Sequence, residues 1–204
     1  GDRGMPLIYL TDYGVGNLHS VKNALESCGA DVETVSDMSK LADADCIVFP
    51  GVGAFDSTME RVAPYREEIL MRLESGVPAL GICIGAQILF DSSEEGEKHG
   101  LGLFKGRVIG LEAERLPHMG WNTVESDDPL LDGTSDREFY FAHSYRGSPE
   151  YGSEIAGNTE YEGRKIPVIF RRSNTYGLQF HPEKSSRSGM KVLKNFIRFS
   201  EECG

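Results

Sequence analysis

The sequence predicts an α/β protein with a mostly parallel central sheet flanked by helices and a β-rich C-terminal half. Three observations carry this. Short apolar runs separated by helical or short crossover segments fill the first part of the chain. Gly-rich loops follow those runs, as they do at the carboxyl ends of parallel strands. After Asp91 the pattern changes to short β-like runs punctuated by Gly and Pro.

Leu7-Ile8-Tyr9-Leu10 reads as a buried strand, followed by the loop Thr11 to Asn17. Leu18, Val21, Leu25 and Cys28 recur at helical spacing, and Gly29 stops that helix. Val32 to Val35 and Asp45 to Phe49 are the second and third strands. With right-handed crossovers, these three build a parallel sheet. Pro50-Gly51-Val52-Gly53-Ala54-Phe55 follows the third strand. A helical segment then covers Pro64 to Glu74, and Gly76 ends it. Val77 to Ile82 is an apolar strand leading to Cys83, and an apolar helix is expected to continue through Ile88, Leu89 and Phe90. Ser92 to Gly100 reads as a polar surface loop. The β-like runs are Gly106–Leu111, Trp121–Glu125, Arg137–Ala142, Glu154–Asn158, Pro167–Arg171 and Tyr176–Phe180. A final helix spans about Ser188 to Phe199 and presents Met190, Leu193, Phe196 and Ile197 on one face.

At 204 residues the chain is expected to form a single domain over 5–204, with Gly1 to Gly4 ahead of Met5 read as a cloning remnant. The formal charge of −11 argues against nucleic acid or an anionic membrane as the main partner. No apolar run approaches a membrane span, and no signal peptide is visible. Cys28, Cys46, Cys83 and Cys203 form no Cys-x-x-Cys pair and no disulfide framework, which fits a reducing cytoplasm. The five His show no metal-ligand spacing, so neither a metal nor a cofactor is expected. Gly14-x-Gly16 is not a dinucleotide fingerprint, because His19 stands where its third Gly would fall.

Cys83 has Gly81 two residues before it and Gly85 two residues after it, at a strand-to-helix turn. A lone Cys at a strand end is most often a small core residue. The flanking Gly instead match a nucleophile elbow, where bulky neighbours would clash with a sharp turn. A helix starting at the sulfur would favour the thiolate through its amides and dipole. A thiol also needs a base, and the base needs an orienting acceptor. Gly177-Leu178-Gln179-Phe180 reads as a strand with His181-Pro182-Glu183 at its end, which puts a His and a carboxylate at the same sheet edge as Cys83. His118 and His143 lack a carboxylate two residues away, and His19 and His99 read as surface residues.

Together these stretches resemble the class I (triad) glutamine amidotransferase family. The residues that carry the resemblance are Gly81-Ile82-Cys83-Ile84-Gly85-Ala86-Gln87, Pro50-Gly51-Val52-Gly53 and His181-Pro182-Glu183. Within the family the chain is similar to the glutaminases of histidine biosynthesis. That match rests on Asp12 to Leu18, Pro50 to Phe55, Leu116 to Asn122, Phe139 to Tyr145 and Gln179 to Ser185, and the resemblance runs from about Pro6 to the end. Ala86 departs from it, since relatives usually carry a bulkier residue such as Met beside the nucleophile.

The resemblance implies a flavodoxin-like fold and hydrolysis of glutamine to glutamate and ammonia. Cys83 would be the nucleophile, His181 the acid–base and Glu183 the orienter. The amides of Ile84 and of Val52 or Gly53 would form the oxyanion hole. Gly51, Gln87, Ser144 and Tyr145 would hold substrate. The resemblance also implies a separate (β/α)8-barrel cyclase subunit that receives ammonia through a sealed path, with Asn17, Met119, Trp121, Tyr140 and Lys184 at the interface. The permissive Gly51 would let the Gly51–Val52 peptide take two orientations, making activity conditional on the partner. The alternatives are a glutaminase serving another synthase, a stand-alone α/β hydrolase, and a silent interaction module; the last would be expected to have lost part of the triad.

Overall fold

A computed structural model describes residues 6–203. The segment read as a cloning remnant lies outside them. Among the described residues, nine strands form one sheet. In spatial order they are β2 (Asp31–Val35), β1 (Leu7–Thr11), β3 (Ile47–Phe49), β4 (Ala79–Ile82), β12 (Thr175–Leu178), β11 (Arg164–Arg172), β10 (Ile155–Tyr161), β7 (His118–Glu125) and β8 (Glu138–His143). From β2 to β12 every pairing is parallel. From β12 to β8 every pairing is antiparallel. The sheet is therefore mixed, and its antiparallel part is a full half rather than an edge. A second sheet joins β5 (Ser92–Ser93), β6 (Gly106–Gly110) and β9 (Tyr145–Pro149). Neither β5 nor β9 is among the strands read from the sequence.

The apolar faces explain the layers. Helix α1 (His19–Ser27) buries Val21, Ala24 and Leu25, and α5 (Ser186–Glu202) buries Val192, Leu193, Phe196 and Ile197. Both pack on one core with Leu10, Val48, Leu80, Leu178 and Phe180. Helices α2 (Phe55–Val62) and α3 (Arg66–Glu74) cover the other face, with Phe49, Met59, Leu73 and Phe104 in that core. The phenylalanines Phe90, Phe104 and Phe170 pack ring against ring there, with centroids 5.0–5.9 Å apart.

Two deviations from the expected elements have local causes. The helix after Cys83, α4 (Ile84–Gln87), is one turn long and does not continue to Phe90. The carbonyls of Ile88, Leu89 and Phe90 instead accept from the amides of Leu101, Phe104 and Gly102, which pulls the chain out of helical pairing. The polar segment 92–100 is not a free loop. The Glu95 carboxylate accepts from Phe55 N at the start of α2, and Asp56 accepts from the amides of Glu97 and Lys98.

The antiparallel half curls back on the parallel half. Tyr140 of β8 forms a bridge with His181, beyond the end of β12. The Ser185 hydroxyl accepts from Tyr140 N at 2.9 Å and donates to the His181 carbonyl. Gly189 of α5 lets that helix close on this turn, since a Cβ there would lie 1.9 Å from the Pro182 carbonyl oxygen. Gly189→Ala must therefore displace backbone. It is expected to cost about 2 kcal/mol or more in denaturant unfolding. Gly152→Ala, where a Cβ meets nothing within 4 Å, stays within about 0.5 kcal/mol.

Candidate functional site

Register brings the site together. β4 lies between β3 and β12, with Phe49 opposite Gly81 and Leu178 opposite Ile82. The chain leaves all three strands at their carboxyl edge, so Gly51, Cys83 and His181 emerge side by side. Cys83 has φ 52° and ψ −113°, a conformation L-residues rarely adopt. Close packing imposes it. A Cβ at Gly81 would lie 2.4 Å from the Gly85 carbonyl oxygen, and one at Gly85 would lie 2.1 Å from that of Phe49. The strain, about 1–3 kcal/mol for such a residue, is held by hydrogen bonds from Cys83 N to Leu178 O (2.7 Å) and to Cys83 O from the amides of Ala86 and Gln87.

His181 is buried. Its Nδ1 stands 3.3 Å from both Glu183 carboxylate oxygens. Only Oε2 has hydrogen-bond geometry, and Oε1 is buried without a donor. With Nδ1–H committed to Glu183, Nε2 is the nitrogen free to take a proton. A Cβ at Gly51 would lie 2.7 Å from His181 Cε1 and 3.2 Å from Cys83 Cβ, so imidazole and thiol share one wall. Burial alone would lower the His181 pKa. Hydrogen bonds and charge from Cys83 and Glu183 outweigh it and bring the ring up to about 9.

The Cys83 thiol faces Ala142 O at 3.8 Å, and Gln179 Nε2 points at Sγ from 3.7 Å. Gln179 was not among the residues singled out from the sequence. A buried Gln between Leu178 and Phe180 was its signal, because a polar side chain inside an apolar run needs an internal partner. Gln87 is buried too. Its Nε2 donates to Tyr145 O and to Gln179 Oε1, both at 3.2 Å. Ala86 is buried, and its Cβ is 3.1 Å from where a Cβ at Gly177 would be, so little room for a larger residue exists there.

The expected oxyanion donors lie at the chain turns that follow β3 and β4. Ile84 opens α4, where the first N–H groups of a helix have no intrahelical acceptor. That helix is one turn long, shorter than the sequence suggested. Val52 lies under Gly16, where a Cβ would come within 2.6 Å of the Val52 Cβ. The loop carrying Asn17 is thereby fixed against Val52. Gly53 has φ +93°.

The other expected residues are spread over the β1–α1 loop, β7, β8 and the turns after β8 and β12. Ser144 O accepts from Leu111 N at 2.9 Å, next to the β6–β9 pairing. Met119 and Trp121 are 63% and 52% exposed on β7, opposite Ala142 and Tyr140 of β8. Asn17 and Lys184 are exposed, and Tyr140 is half-buried with its ring 6.3 Å from that of Trp121. A surface cleft of about 880 Å³ is lined by Ser126, Asp128, Asp136 and Asn158 and by none of the Cys83–His181–Glu183 set. Among the described residues no cluster of three or more His, Cys, Asp or Glu is placed to hold a metal.

The family model for class-I glutamine amidotransferases matches residues 9–199. Solved structures with this fold include a glutamine amidotransferase (TM-score 0.75, 19% identity, covering 95% of this chain and 98% of that one). Another is PurLQS from Thermotoga maritima (TM-score 0.76, 21% identity, 96% and 99%). More similar in sequence is the imidazole glycerol phosphate synthase subunit HisH of Methanocaldococcus jannaschii, 45% identical with 94% of this chain and 98% of the relative covered. The HisH subunit of Halobacterium salinarum is 41% identical, with 98% and 95% covered. The chain belongs to the class-I glutamine amidotransferase family, in its HisH branch.

The raised His181 pKa has a consequence for stability. A ring near 9 when folded and near 6.5 when unfolded stabilises the fold fully below pH 6.5, and that contribution is lost as pH rises through 9. Glu183→Gln removes the negative partner and lowers the folded pKa. Urea unfolding from pH 6 to 9.5 is expected to show a smaller loss of stability in the variant than in the wild type.

Proposed function

We propose that this chain is the glutaminase subunit of an imidazole glycerol phosphate synthase, with Cys83, His181 and Glu183 as its catalytic triad. The observation that carries the assignment is the shared wall at Gly51. It sets a strained cysteine beside a buried histidine whose far nitrogen is held by a carboxylate.

His181 takes the thiol proton on Nε2, and the Cys83 sulfur attacks the side-chain amide carbon of glutamine. The amide of Ile84 and that of Val52 or Gly53 donate to the oxyanion. His181 then returns its proton to the leaving nitrogen, and ammonia departs. Water activated by the same ring cleaves the γ-glutamyl thioester to release glutamate. Glu183 holds the imidazole orientation throughout. Gln87, with both N–H groups committed, has its carbonyl oxygen left to accept from the substrate's amino group, and Gly51 leaves space for the reacting amide. The backbone at Ser144 and Tyr145 closes the substrate pocket.

Ammonia released to water would be protonated and lost as a nucleophile. The partner is accordingly a (β/α)8-barrel cyclase subunit, which combines ammonia with a phosphoribulosyl intermediate to form imidazole glycerol phosphate and an aminoimidazole carboxamide ribotide. Asn17, Met119, Trp121, Tyr140 and Lys184 form the docking face. The exposed Met119 and Trp121 support this, since large exposed apolar side chains in one patch mark interaction surfaces. The Gly51–Val52 peptide turns to complete the oxyanion hole when partner and ligand bind. Free thiols at all four cysteines and the absence, among the described residues, of a helix long and apolar enough to cross a membrane accord with a cytoplasmic site of action.

Glutamate release from glutamine is expected to be slow with the chain alone. It should rise at least tenfold with the barrel subunit and its phosphoribulosyl ligand, and vanish in Cys83→Ala. Full activity without a partner would instead indicate a stand-alone hydrolase. Trp121→Ala should weaken binding of the barrel subunit by about tenfold or more in calorimetry, as for an aromatic anchor at the centre of an interface.

A further inference from the structure

His118 of β7 and His143 of β8 sit directly opposite each other in the antiparallel register, and both are buried. His118 Nδ1 lies 2.9 Å from His143 Nε2, and His143 Nδ1 lies 2.9 Å from Tyr145 O. A carbonyl only accepts, so His143 carries its proton on Nδ1 and offers a lone pair at Nε2. His118 must then donate from Nδ1, which leaves its Nε2 as an acceptor facing Asn122 Nδ2 at 3.2 Å. The other end agrees independently. Asn122 Nδ2 donates to Glu160 O at 2.8 Å, and Asn122 Oδ1 accepts from Thr123 N, so backbone groups on both sides fix the amide. Every hydrogen bond from Asn122 to Tyr145 has one permitted direction, and both rings must be neutral. Burial acts the same way, pulling His118 down and His143 to about 4.

The order continues past Tyr145. Its carbonyl also receives Gln87 Nε2, whose second hydrogen goes to Gln179 Oε1, so the Gln179 NH2 faces the Cys83 sulfur. We propose that Asn122, His118 and His143 are positioning residues. They form a one-way hydrogen-bond chain that holds Tyr145 O, orients the Gln87 and Gln179 amides, and keeps a Gln179 N–H donor on Cys83. This rests on the reading of Cys83 as nucleophile. The donor at its end stabilises negative charge on sulfur, whereas a flipped Gln179 would present a carbonyl oxygen and oppose it.

Packing and hydrogen bonding make opposite demands at His118, which is sandwiched between Phe141 and Tyr161 at centroid distances of 4.6 and 4.1 Å. His118→Phe keeps the sandwich and loses the donor. His118→Asn places an amide N–H near the Nδ1 position and loses the sandwich. Asn122→Asp, at a half-buried position, sets an acceptor against His118 Nε2 and favours the reversed tautomer. For each variant, kcat and KM for glutamine are measured in the partner complex. The rate of Cys83 alkylation by iodoacetamide is measured at pH 7, read by peptide mass spectrometry. His118→Phe is expected to lower kcat and the alkylation rate by about tenfold, roughly the effect of one buried hydrogen bond, with KM changed less. His118→Asn should stay within about threefold of wild type, and Asn122→Asp should lose severalfold in both rates. Wild-type alkylation in both His118→Phe and Asn122→Asp, or greater damage in His118→Asn than in His118→Phe, would overturn the proposal in favour of packing alone. Alkylation reads the sulfur whatever its part in turnover. Activity surviving in Cys83→Ala would therefore expose a failure of the nucleophile reading separately.

Discussion

The structure depends on backbone meeting backbone between β3, β4 and the turn after Cys83. The Phe49 carbonyl approaches Gly85, and the Gly85 carbonyl approaches Gly81, at distances that exclude any side chain. Three consecutive pieces of main chain occupy the space that ordinary residues would need for Cβ atoms. The chain can then reverse only by taking Cys83 into positive φ. That single constraint lifts the sulfur off the sheet, ends the strand at Ile82 and starts a helix with its first amides beside the thiol. The parallel pairing of β4 with β12 then brings His181 to the same edge without any further adaptation.

Two kinds of buried imidazole surround this point, and their partners set them apart. His181 lies between a thiol and a carboxylate, groups that gain from a positive ring, and it is held well above the ordinary histidine range. His143 lies between a carbonyl and another imidazole whose N–H already points at it. A second proton would set donor against donor, and the ring stays neutral. The two rings share a similar degree of burial, and their pKa values move in opposite directions because one neighbourhood is acidic and the other is closed by neutral dipoles.

Much of this was legible in the residues. Glycine spacing around Cys83 and the His-Pro-Glu at a strand end pointed to the sharp turn and to a histidine–carboxylate pair at the same sheet edge, because both express local backbone needs. The parallel strands were readable from apolar runs, and α5 from its face. What stayed hidden depends on register or on distant segments. The length of α4 is set by amides twelve or more residues further on, at Leu101, Gly102 and Phe104. The small sheet of β5, β6 and β9 consists of polar or Gly-rich strands whose pairing local pattern does not mark. His118 and His143 offered no neighbouring carboxylate and looked unremarkable, since their meeting exists only once β7 and β8 are aligned. Gln179 sits inside an apolar strand, where a buried amide needs an internal partner that only the folded arrangement supplies.

The pairing of β7 with β8 carries one more consequence. Met119 and Trp121 point to solvent, while Ala142, opposite Met119, turns its carbonyl to the Cys83 thiol. The β8 backbone thus meets the strand that carries the exposed residues on one side and the thiol on the other. Any displacement of β8 along its pairing with β7 would move the Ala142 carbonyl relative to the sulfur, so one strand couples the position of Met119 to the surroundings of the thiol.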